Sequence, residues 1–213
     1  GQKMLFTGSN PQSADTSVHK LRVKDLLSML TQEYSKTPGA VVLFGGLEQG
    51  CAQFNQESSF YYFTGINEPG AVAVFNLNGK STLYVPNHGA TRAAWVHTPV
   101  PLIQANAKKL GFDIVTTLGQ PLPGYQLYPF SDLKYYDALT ADLNSLINSG
   151  GKIFTLMPHN ASEYVEQRWM IERLNTVVPN LKSSCIDISE FAALMRRKKD
   201  MGEIEKMYKA VEI

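Results

Sequence analysis

Short, uninterrupted apolar runs alternate along this chain with longer segments in which apolar residues recur at helical spacing. Ala40–Phe44 is a run of the first kind and has the pattern of a buried strand, and Lys152–Met157 is predicted to be another strand. Val18–Tyr34 and Asp132–Asn148 are segments of the second kind and are predicted to be helices. Because strands alternate with helices, we expect an α/β fold in which a mixed β-sheet is flanked by helices.

A β-hairpin is expected in the middle of the chain. Asn78-Gly79 is a strong turn signal, and it lies between the apolar segments Ala71–Leu77 and Ser81–Val85. Just upstream, Phe60–Phe63 are four successive aromatic residues. We interpret this run as a strand, which would place two aromatic side chains on each face of the sheet.

The last residues of the chain carry an apolar stripe. Ile204, Met207, Tyr208 and Val211 recur at the spacing of one helix face. Such a stripe either folds back onto the preceding residues or leads into a further domain, and we interpret it as an inter-domain linker helix. The predicted organisation is a flexible polar lead-in over residues 1–17, an α/β domain over residues 18–188 and junction helices over residues 189–213.

Charge and hydropathy argue against two classes of partner. The formal net charge is +1, so the overall balance predicts no nucleic-acid partner. The run Arg196–Lys199 is the one strong basic cluster, but it lacks interleaved aromatic residues and acidic residues follow it. We therefore predict that it is a solvated helix face or a helix C-terminus. No apolar run approaches the roughly 20 residues that span a bilayer, so no membrane partner is expected.

The sequence shows no metal-binding motif and no reactive thiol motif. No histidine is spaced from another histidine, a cysteine or a glutamate as metal ligands are, so each is expected to be exposed or hydrogen-bonded. The histidines are His19, His88, His97 and His159. Cys51 and Cys185 have no signature of a reactive thiolate. Two buried free thiols are expected for them, although a single disulfide remains an alternative.

The sequence also shows no recognisable nucleophile or acid–base pair. There is no G-x-S-x-G nucleophile motif. Six carboxylates lie in segments predicted to be turns or polar helix faces, so we expect them to be solvated: Glu57, Glu68, Asp113, Asp132, Asp137 and Asp142. The residues by themselves therefore predict no catalytic site.

Three features, in this order and spacing, resemble a known family. Residues 59–71, SFYYFTGINEPGA, resemble the F-x-Y-L-T-G…E-P-(G/A) signature of the N-terminal domain of Xaa-Pro aminopeptidases (aminopeptidase P) and their prolidase and creatinase relatives. The predicted hairpin follows where that family has one. Residues 195–211, MRRKKDMGEIEKMYKAV, are similar to the family's inter-domain junction. The resemblance covers about residues 18–213 and implies the fold of the creatinase and aminopeptidase P N-terminal domain.

The resemblance implies that this domain is not catalytic. In the family it shapes one side of the substrate cleft and supplies oligomer contacts. Two Asp, one His and two Glu hold two divalent metal ions, with manganese as the expected metal, in a following "pita-bread" domain. None of these ligands can be mapped onto this chain, so the chain alone is expected to be inactive and to hold no cofactor.

The partners and location of the parent protein are also implied by the resemblance. The parent is expected to be a metallo-exopeptidase that releases an N-terminal residue preceding proline. Its partners would be the C-terminal catalytic domain, further copies in a homo-oligomer and a proline-containing peptide substrate. The expected location is cytoplasmic.

Trp95 is the candidate substrate-binding residue that the resemblance implies. In some members a tryptophan in an E-x-W-x-G context after the hairpin acts in the active site of a neighbouring subunit. Trp95 stands at about that place, but Ala93 replaces the acidic residue and His97 replaces the glycine. The alternative for Trp95 is an ordinary, partly buried core or interface side chain.

A second function class stays open. A eukaryotic histone-chaperone subunit combines the same N-terminal domain with a degenerate pita-bread domain, binds protein partners and cleaves nothing. The chain could therefore be a protein-binding scaffold domain of a non-enzymatic homologue. The coding sequence beyond Ile213 separates the two hypotheses, because only the peptidase needs the five metal ligands.

Overall fold

The structure, a computed structural model, describes residues 16–48, 54–88, 100–123, 132–160 and 162–198. Within these ranges the α-helices are α1 (Ser17–Glu33), α2 (Ser58–Thr64), α3 (Ala107–Leu110), α4 (Asp137–Asn148), α5 (Val165–Asn175) and α6 (Ser189–Arg197). The strands are β1 (Gly39–Phe44), β2 (Val72–Asn76), β3 (Ser81–Val85), β4 (Ile114–Thr117), β5 (Lys152–Thr155) and β6 (Cys185–Asp187). Short 3₁₀ helices cover Gln104–Asn106, Leu133–Tyr136 and Lys182–Ser184.

The six strands form one mixed sheet in the order β4-β3-β2-β1-β5-β6. β1 pairs antiparallel with β2 and parallel with β5. β3 pairs antiparallel with β2 and parallel with β4, and β5 pairs parallel with β6. β2 therefore runs opposite to the other five strands. The predicted α/β fold with a mixed sheet flanked by helices is confirmed.

The predicted hairpin is also confirmed. β2 and β3 are antiparallel neighbours, with Val74 opposite Thr82. Gly79 has a φ of +101°, a conformation that side chains with a Cβ rarely adopt. The Gly79 N–H donates to the Asn76 carbonyl at 2.8 Å. The turn residues that identified the hairpin in the sequence therefore have the backbone geometry that the turn requires.

Helices cover both faces of the sheet. All six residues of β1 are buried, and successive side chains point to opposite faces. Val41 and Leu43 belong to an apolar cluster with side chains of α1, α2 and α6. Val42 and Phe44 belong to a second cluster with side chains of α4 and α5. The chain thus has the three-layer arrangement expected for a strand that is apolar throughout.

The aromatic run Phe60–Phe63 lies in helix α2, so its prediction as a strand is wrong. The Glu57 carboxylate accepts hydrogen bonds from two backbone N–H groups of the first turn, which stabilises the start of the helix. Gly65, with a φ of +67°, ends it in the left-handed conformation. Phe60, Phe63 and Thr64 are buried at helical spacing rather than at the alternate positions of a strand.

Helix α6 packs against the first apolar cluster. Ile188, Ala192 and Met195 are at most 1% exposed and contact the core on the α1 side of the sheet. The stripe at residues 204–211 lies outside the described residues, as does almost all of the predicted lead-in. The predicted division into a lead-in, a domain and junction helices therefore stays a prediction.

Candidate functional site at the carboxyl edge of the sheet

The topology brings the carboxyl ends of five strands to one edge of the sheet. Because β1, β3, β4, β5 and β6 all run in the same direction, the segments that follow them leave the sheet on the same side. In open sheets of this kind ligands bind in the crevice outside the carboxyl ends of the strands. This carboxyl edge is therefore the place to look for a functional site.

A cavity of about 530 Å³ opens at the carboxyl edge. Its walls come from the end of β1, the start of α2, the start of α5 and one side of α6. The lining residues are Phe44, Glu57, Ser58, Glu163, Tyr164, Val165, Glu166, Gln167 and Ala193. Its volume lies within the range of small-molecule sites, roughly 300–1,000 Å³.

Glu57 joins two of these walls. Its carboxylate accepts hydrogen bonds from the N–H groups of Ser59 at 2.8 Å and Phe60 at 2.9 Å. It also accepts one from the Gln167 side-chain amide at 3.3 Å, which links α2 to α5. The expectation of a simply solvated carboxylate is therefore wrong for Glu57, because the first turn of α2 supplies unpaired backbone donors.

Of two other carboxylates, Glu68 departs from the solvated state expected for it, whereas Asp142 is exposed. Glu68 is only 6% exposed, at the turn before β2. Asp142 on α4 accepts a short hydrogen bond from the Tyr84 hydroxyl on β3. Burial together with this hydrogen bond raises the pKa of Tyr84. Neither carboxylate lines the cavity at the carboxyl edge, so we assign both to the stability of the fold.

A chain of three polar side chains connects α2, α5 and α6 beside the cavity. The Arg196 guanidinium donates to Ser59 Oγ at 3.1 Å, and Ser59 Oγ lies 3.1 Å from the Tyr164 hydroxyl. Since Ser59 Oγ already accepts from arginine, its own hydrogen is available to the tyrosine oxygen. Tyr164 has a φ of +51°, which a tyrosine rarely adopts. Arg196 lies in the last turn of α6, so the helix C-terminus predicted for the basic run is confirmed, and its guanidinium is in addition hydrogen-bonded to Ser59.

Tyr62, on α2, makes contacts with both α6 and α1. Its hydroxyl donates to the Met195 carbonyl at 3.1 Å. The Tyr62 carbonyl accepts a hydrogen bond from the Arg22 guanidinium at 3.0 Å, and the same oxygen lies 2.8 Å from His19 Nδ1. The Arg22 guanidinium also stands 3.9 Å from the centre of the Tyr62 ring, in cation–π contact. The prediction that His19 is hydrogen-bonded is confirmed.

We predict that Tyr62→Phe loosens the attachment of α6. Removing the hydroxyl deletes its bond to the Met195 carbonyl and should lower the free energy of unfolding by about 0.5–1.5 kcal/mol. Tyr34→Phe is the matched control, because no hydrogen bond of its hydroxyl occurs among the described residues. Urea unfolding measures both variants, and equal midpoints for the two would contradict the role given to Tyr62.

The described residues show neither a metal cluster nor a reactive thiol. No three His, Cys, Asp or Glu side chains within them are placed to hold a metal ion. Cys185 is a free thiol whose Sγ lies 3.2 Å from the Leu181 carbonyl. Burial raises the pKa of this thiol to about 12, so it is almost entirely protonated at neutral pH and a poor nucleophile. Cys51 lies outside the described residues.

The candidate residue Trp95 and its neighbours Ala93 and His97 also lie outside the described residues. The segment that contains them leaves the sheet after β3, at the carboxyl edge. Its described start is held there, since the Asn87 side-chain amide donates to the Gly119 carbonyl at 3.3 Å and the Asn87 carbonyl accepts from Leu122 N–H at 2.8 Å. The substrate-binding role of Trp95 therefore stays a prediction.

No helix among the described residues is long and apolar enough to cross a bilayer.

Comparison with known proteins shows similarity to aminopeptidase P and its relatives. The family described as "Aminopeptidase P, N-terminal domain" matches residues 19–120. A probable Xaa-Pro aminopeptidase of Blastomyces gilchristii is 25% identical over 207 residues, which are 93% of this chain and 35% of that protein. The Xaa-Pro dipeptidase of Homo sapiens is 30% identical over 100 residues, which are 43% of this chain and 20% of that enzyme. The chain thus spans about a third of the length of the first of these relatives.

Solved structures show the same fold. Aminopeptidase P from Escherichia coli, in its low-pH form, superposes with a TM-score of 0.57 and 20% identity. The similarity covers 91% of this chain and 41% of the bacterial one. The family match over residues 19–120, which run from α1 through β4, agrees with the resemblance in the sequence.

Proposed function

We propose that this chain is the non-catalytic N-terminal domain of a metal-dependent Xaa-Pro aminopeptidase. The proposal rests on how much of each protein aligns: 93% of this chain aligns with only 35% of a probable Xaa-Pro aminopeptidase. The chemistry would then belong to the remaining part of such a protein. The domain would contribute the shape of the substrate cleft and contacts between subunits.

The carboxyl edge is the surface that we assign to the cleft. Three carboxylates and the Gln167 amide line the cavity there, and the hydrogen bond from Gln167 to Glu57 joins the starts of α2 and α5. Glu57, Ser59, Tyr164 and Arg196 connect these helices to α6, so they hold the edge in one shape. A rigid wall of this kind orients a substrate without touching the scissile bond.

The reaction that we propose for the parent is release of an N-terminal residue that precedes proline. Two divalent metal ions, manganese by expectation, would supply an activated water and polarise the scissile carbonyl. The described residues do not fit such a centre, since they include no cluster of three metal-binding side chains. In this proposal the metal ligands belong to a downstream catalytic domain.

The proposal extends to partners and location. The partners would be the catalytic domain, other copies of the same protein and a proline-containing peptide. The similarity to peptidases named for Xaa-Pro substrates supports the peptide. We propose homo-oligomeric assembly and a cytoplasmic location as the remaining expectations from the family resemblance.

The coding sequence downstream of Ile213 tests the proposal. We expect two Asp, one His and two Glu in the order and spacing of a pita-bread metallopeptidase. A downstream domain of that fold without the five ligands would contradict the proposal and would favour the protein-binding scaffold.

Trp95 is the residue of this chain that we propose to contact substrate, from one subunit into the site of another. Trp95→Ala in the full-length enzyme should lower kcat/KM at least about ten-fold, equivalent to ~1.4 kcal/mol of lost transition-state stabilisation. Trp169→Ala is the matched control, because this second tryptophan is 38% exposed on α5 and lies away from the cavity lining. Equal kcat/KM values for Trp95→Ala and the wild type would show that Trp95 does not contribute to the substrate site.

A further inference from the structure

A second cleft, of about 600 Å³, lies at the opposite edge of the sheet. One wall is helix α1, from Thr16 to Gln32. The other wall is formed by the turn of the β2–β3 hairpin and by the end of α3 with Phe112. Because β3 and β4 begin at this edge, the cleft is separate from the candidate site at the carboxyl edge. Its volume is in the range of sites for small organic ligands, roughly 300–1,000 Å³. We call it the α1 cleft.

The floor of the α1 cleft is apolar. Phe75 of β2 and Phe112 are 4% and 6% exposed, and their rings stack with centroids 5.7 Å apart. Val23 of α1 is buried, and Leu27 of α1 and Leu77 after β2 are half-buried. All five side chains pack in or against the first apolar cluster, so they are anchored in the core. An apolar chain that covers this floor removes carbon atoms on both sides from water, which is favourable.

Two lysines stand on the rim of the α1 cleft, one helical turn apart. Lys20 and Lys24 line the cleft and are exposed. The aliphatic part of Lys20 lies over Gly111, since a Cβ placed on that glycine would meet Lys20 Cγ at 3.5 Å. Within the part of the chain that the structure describes, neither ammonium group has a hydrogen bond or an ion pair. Both positive charges are therefore accessible to a ligand in the cleft.

The charge around the α1 cleft is positive. Among the described residues, no Asp or Glu side chain lines the cleft. The carboxylate beside it, Asp113, accepts hydrogen bonds from the Ser81 N–H at 2.8 Å and the Ser81 hydroxyl at 3.4 Å. Thr16, at the N-terminus of α1, also lines the cleft, and this is the positive end of the helix dipole. An anionic group is therefore favoured at the end of the cleft that holds the lysines.

The charged and apolar parts of the α1 cleft are arranged in sequence along the helix. The two lysines stand in its first half, whereas the lining residues of its second half are all uncharged. From Lys24 to Gln32 the helical wall is about 12 Å long. One anionic head group followed by an unbranched apolar chain matches this distribution of charge.

We propose that the α1 cleft binds a fatty acid, a carboxylate on an unbranched acyl chain. The carboxylate pairs with the ammonium groups of Lys20 and Lys24. The acyl chain lies along α1 and covers the floor formed by Val23, Phe75 and Phe112. This proposal is independent of the peptidase function, because no residue of the candidate site takes part in it.

Calorimetric titration of the chain with dodecanoate, at concentrations at which dodecanoate is monomeric, tests the proposal. We expect saturable binding of one dodecanoate per chain. Decanoate, which is shorter by two methylene groups, should bind about ten-fold more weakly, because less apolar surface is buried. Dodecyltrimethylammonium, with the same chain and the opposite charge, should show no saturable binding.

Substitutions test the contribution of each part of the cleft. Lys20→Gln combined with Lys24→Gln should weaken dodecanoate binding at least about ten-fold, because the carboxylate loses both charged partners. Lys108→Gln combined with Lys109→Gln is the matched control, since these two lysines are exposed on α3 and do not line the cleft. Ser28→Trp, on the exposed rim, should obstruct the cleft and abolish binding, while circular dichroism shows that the variant is folded.

Three outcomes overturn the proposal. Absence of saturable dodecanoate binding would show that the cleft is not a fatty-acid site. Equal affinities for the two lysine double variants, or equal binding of the cationic amphiphile, would show that the lysines do not select a carboxylate. A dimer in sedimentation that Ser28→Trp converts to a monomer would show that a second copy of the chain occupies the cleft.

Discussion

Phe60→Ala should lower the free energy of unfolding by about 3–5 kcal/mol, because it deletes a fully buried ring and leaves a cavity among side chains that cannot close it. Phe60 is 0% exposed and packs in the apolar cluster between α1, α2, α6 and the sheet. Its neighbour Tyr61 is half-buried, and its ring contacts His19 edge-on at 5.9 Å between ring centroids. Tyr61→Ala should therefore cost about 1 kcal/mol.

Urea unfolding followed by circular dichroism measures the two variants. If Phe60→Ala does not fold, Phe60→Leu is compared with Tyr61→Leu, and Phe60→Leu should cost about 1 kcal/mol more because only Phe60 is fully buried. The helical account of α2 places Phe60 and Phe63 on one face and Tyr61 on the other. A loss for Tyr61→Ala as large as that for Phe60→Ala would contradict this arrangement.

The aromatic run shows why one element was misassigned from sequence. Phe and Tyr have high β-propensity, so four in succession favour a strand. The deciding signals lie at the ends of the run, where Glu57 caps the first turn and Gly65 ends the helix. Both signals are present in the sequence, and the burial of Phe60, Phe63 and Thr64 at helical spacing agrees with them. Tertiary contacts and capping outweigh intrinsic propensity here.

Elements with strong local signals were predictable. The hairpin follows from Asn78-Gly79 between two apolar runs, and its register requires no information from distant residues. β1 is recognisable because Ala40–Phe44 is apolar at every position, as a central strand with both faces covered must be. Helix α1 follows from its apolar periodicity, and it begins within one residue of the prediction.

The candidate site was not predictable in the same way, because its contacts join distant parts of the chain. Ser59 meets Tyr164 across 105 residues and Arg196 across 137 residues. Glu57 meets Gln167 across 110 residues. Ser59 and Arg196 lie in the two segments that resemble the family, but neither pattern indicates that the two side chains meet. The signal that sequence does carry is at Glu57, whose carboxylate directly precedes a helical start and so can cap it.

The same reason explains the hydrogen bond of Asp142 and the burial of Glu68. Asp142 lies on a helix whose sequence gives it a polar position, and only the packing of α4 on the sheet brings the Tyr84 hydroxyl to it. Glu68 lies in a segment rich in turn residues, yet it is buried in the fold. Local pattern predicts that such residues are polar-facing, whereas burial depends on which elements become neighbours.

The central claim of our proposal is that this chain forms one side of the substrate cleft of a peptidase and that the metal-dependent reaction takes place in another domain. The claim predicts that the chain alone and the chain continued through a downstream domain differ very greatly in peptidase activity. The chain alone, purified and supplied with manganese, should not cleave a peptide whose second residue is proline. The same chain continued through its downstream domain should cleave it in a metal-dependent manner, because enzymatic rate enhancements of at least about 10⁶-fold require the complete catalytic centre.

The most direct test is turnover of an Xaa-Pro tripeptide by the purified chain, with and without added manganese. The control substrate carries alanine in place of proline, and the control reaction contains a chelator. The account predicts that release of the N-terminal residue does not exceed that of a manganese-only blank. Proline-dependent turnover by the purified chain that disappears on chelation would contradict it.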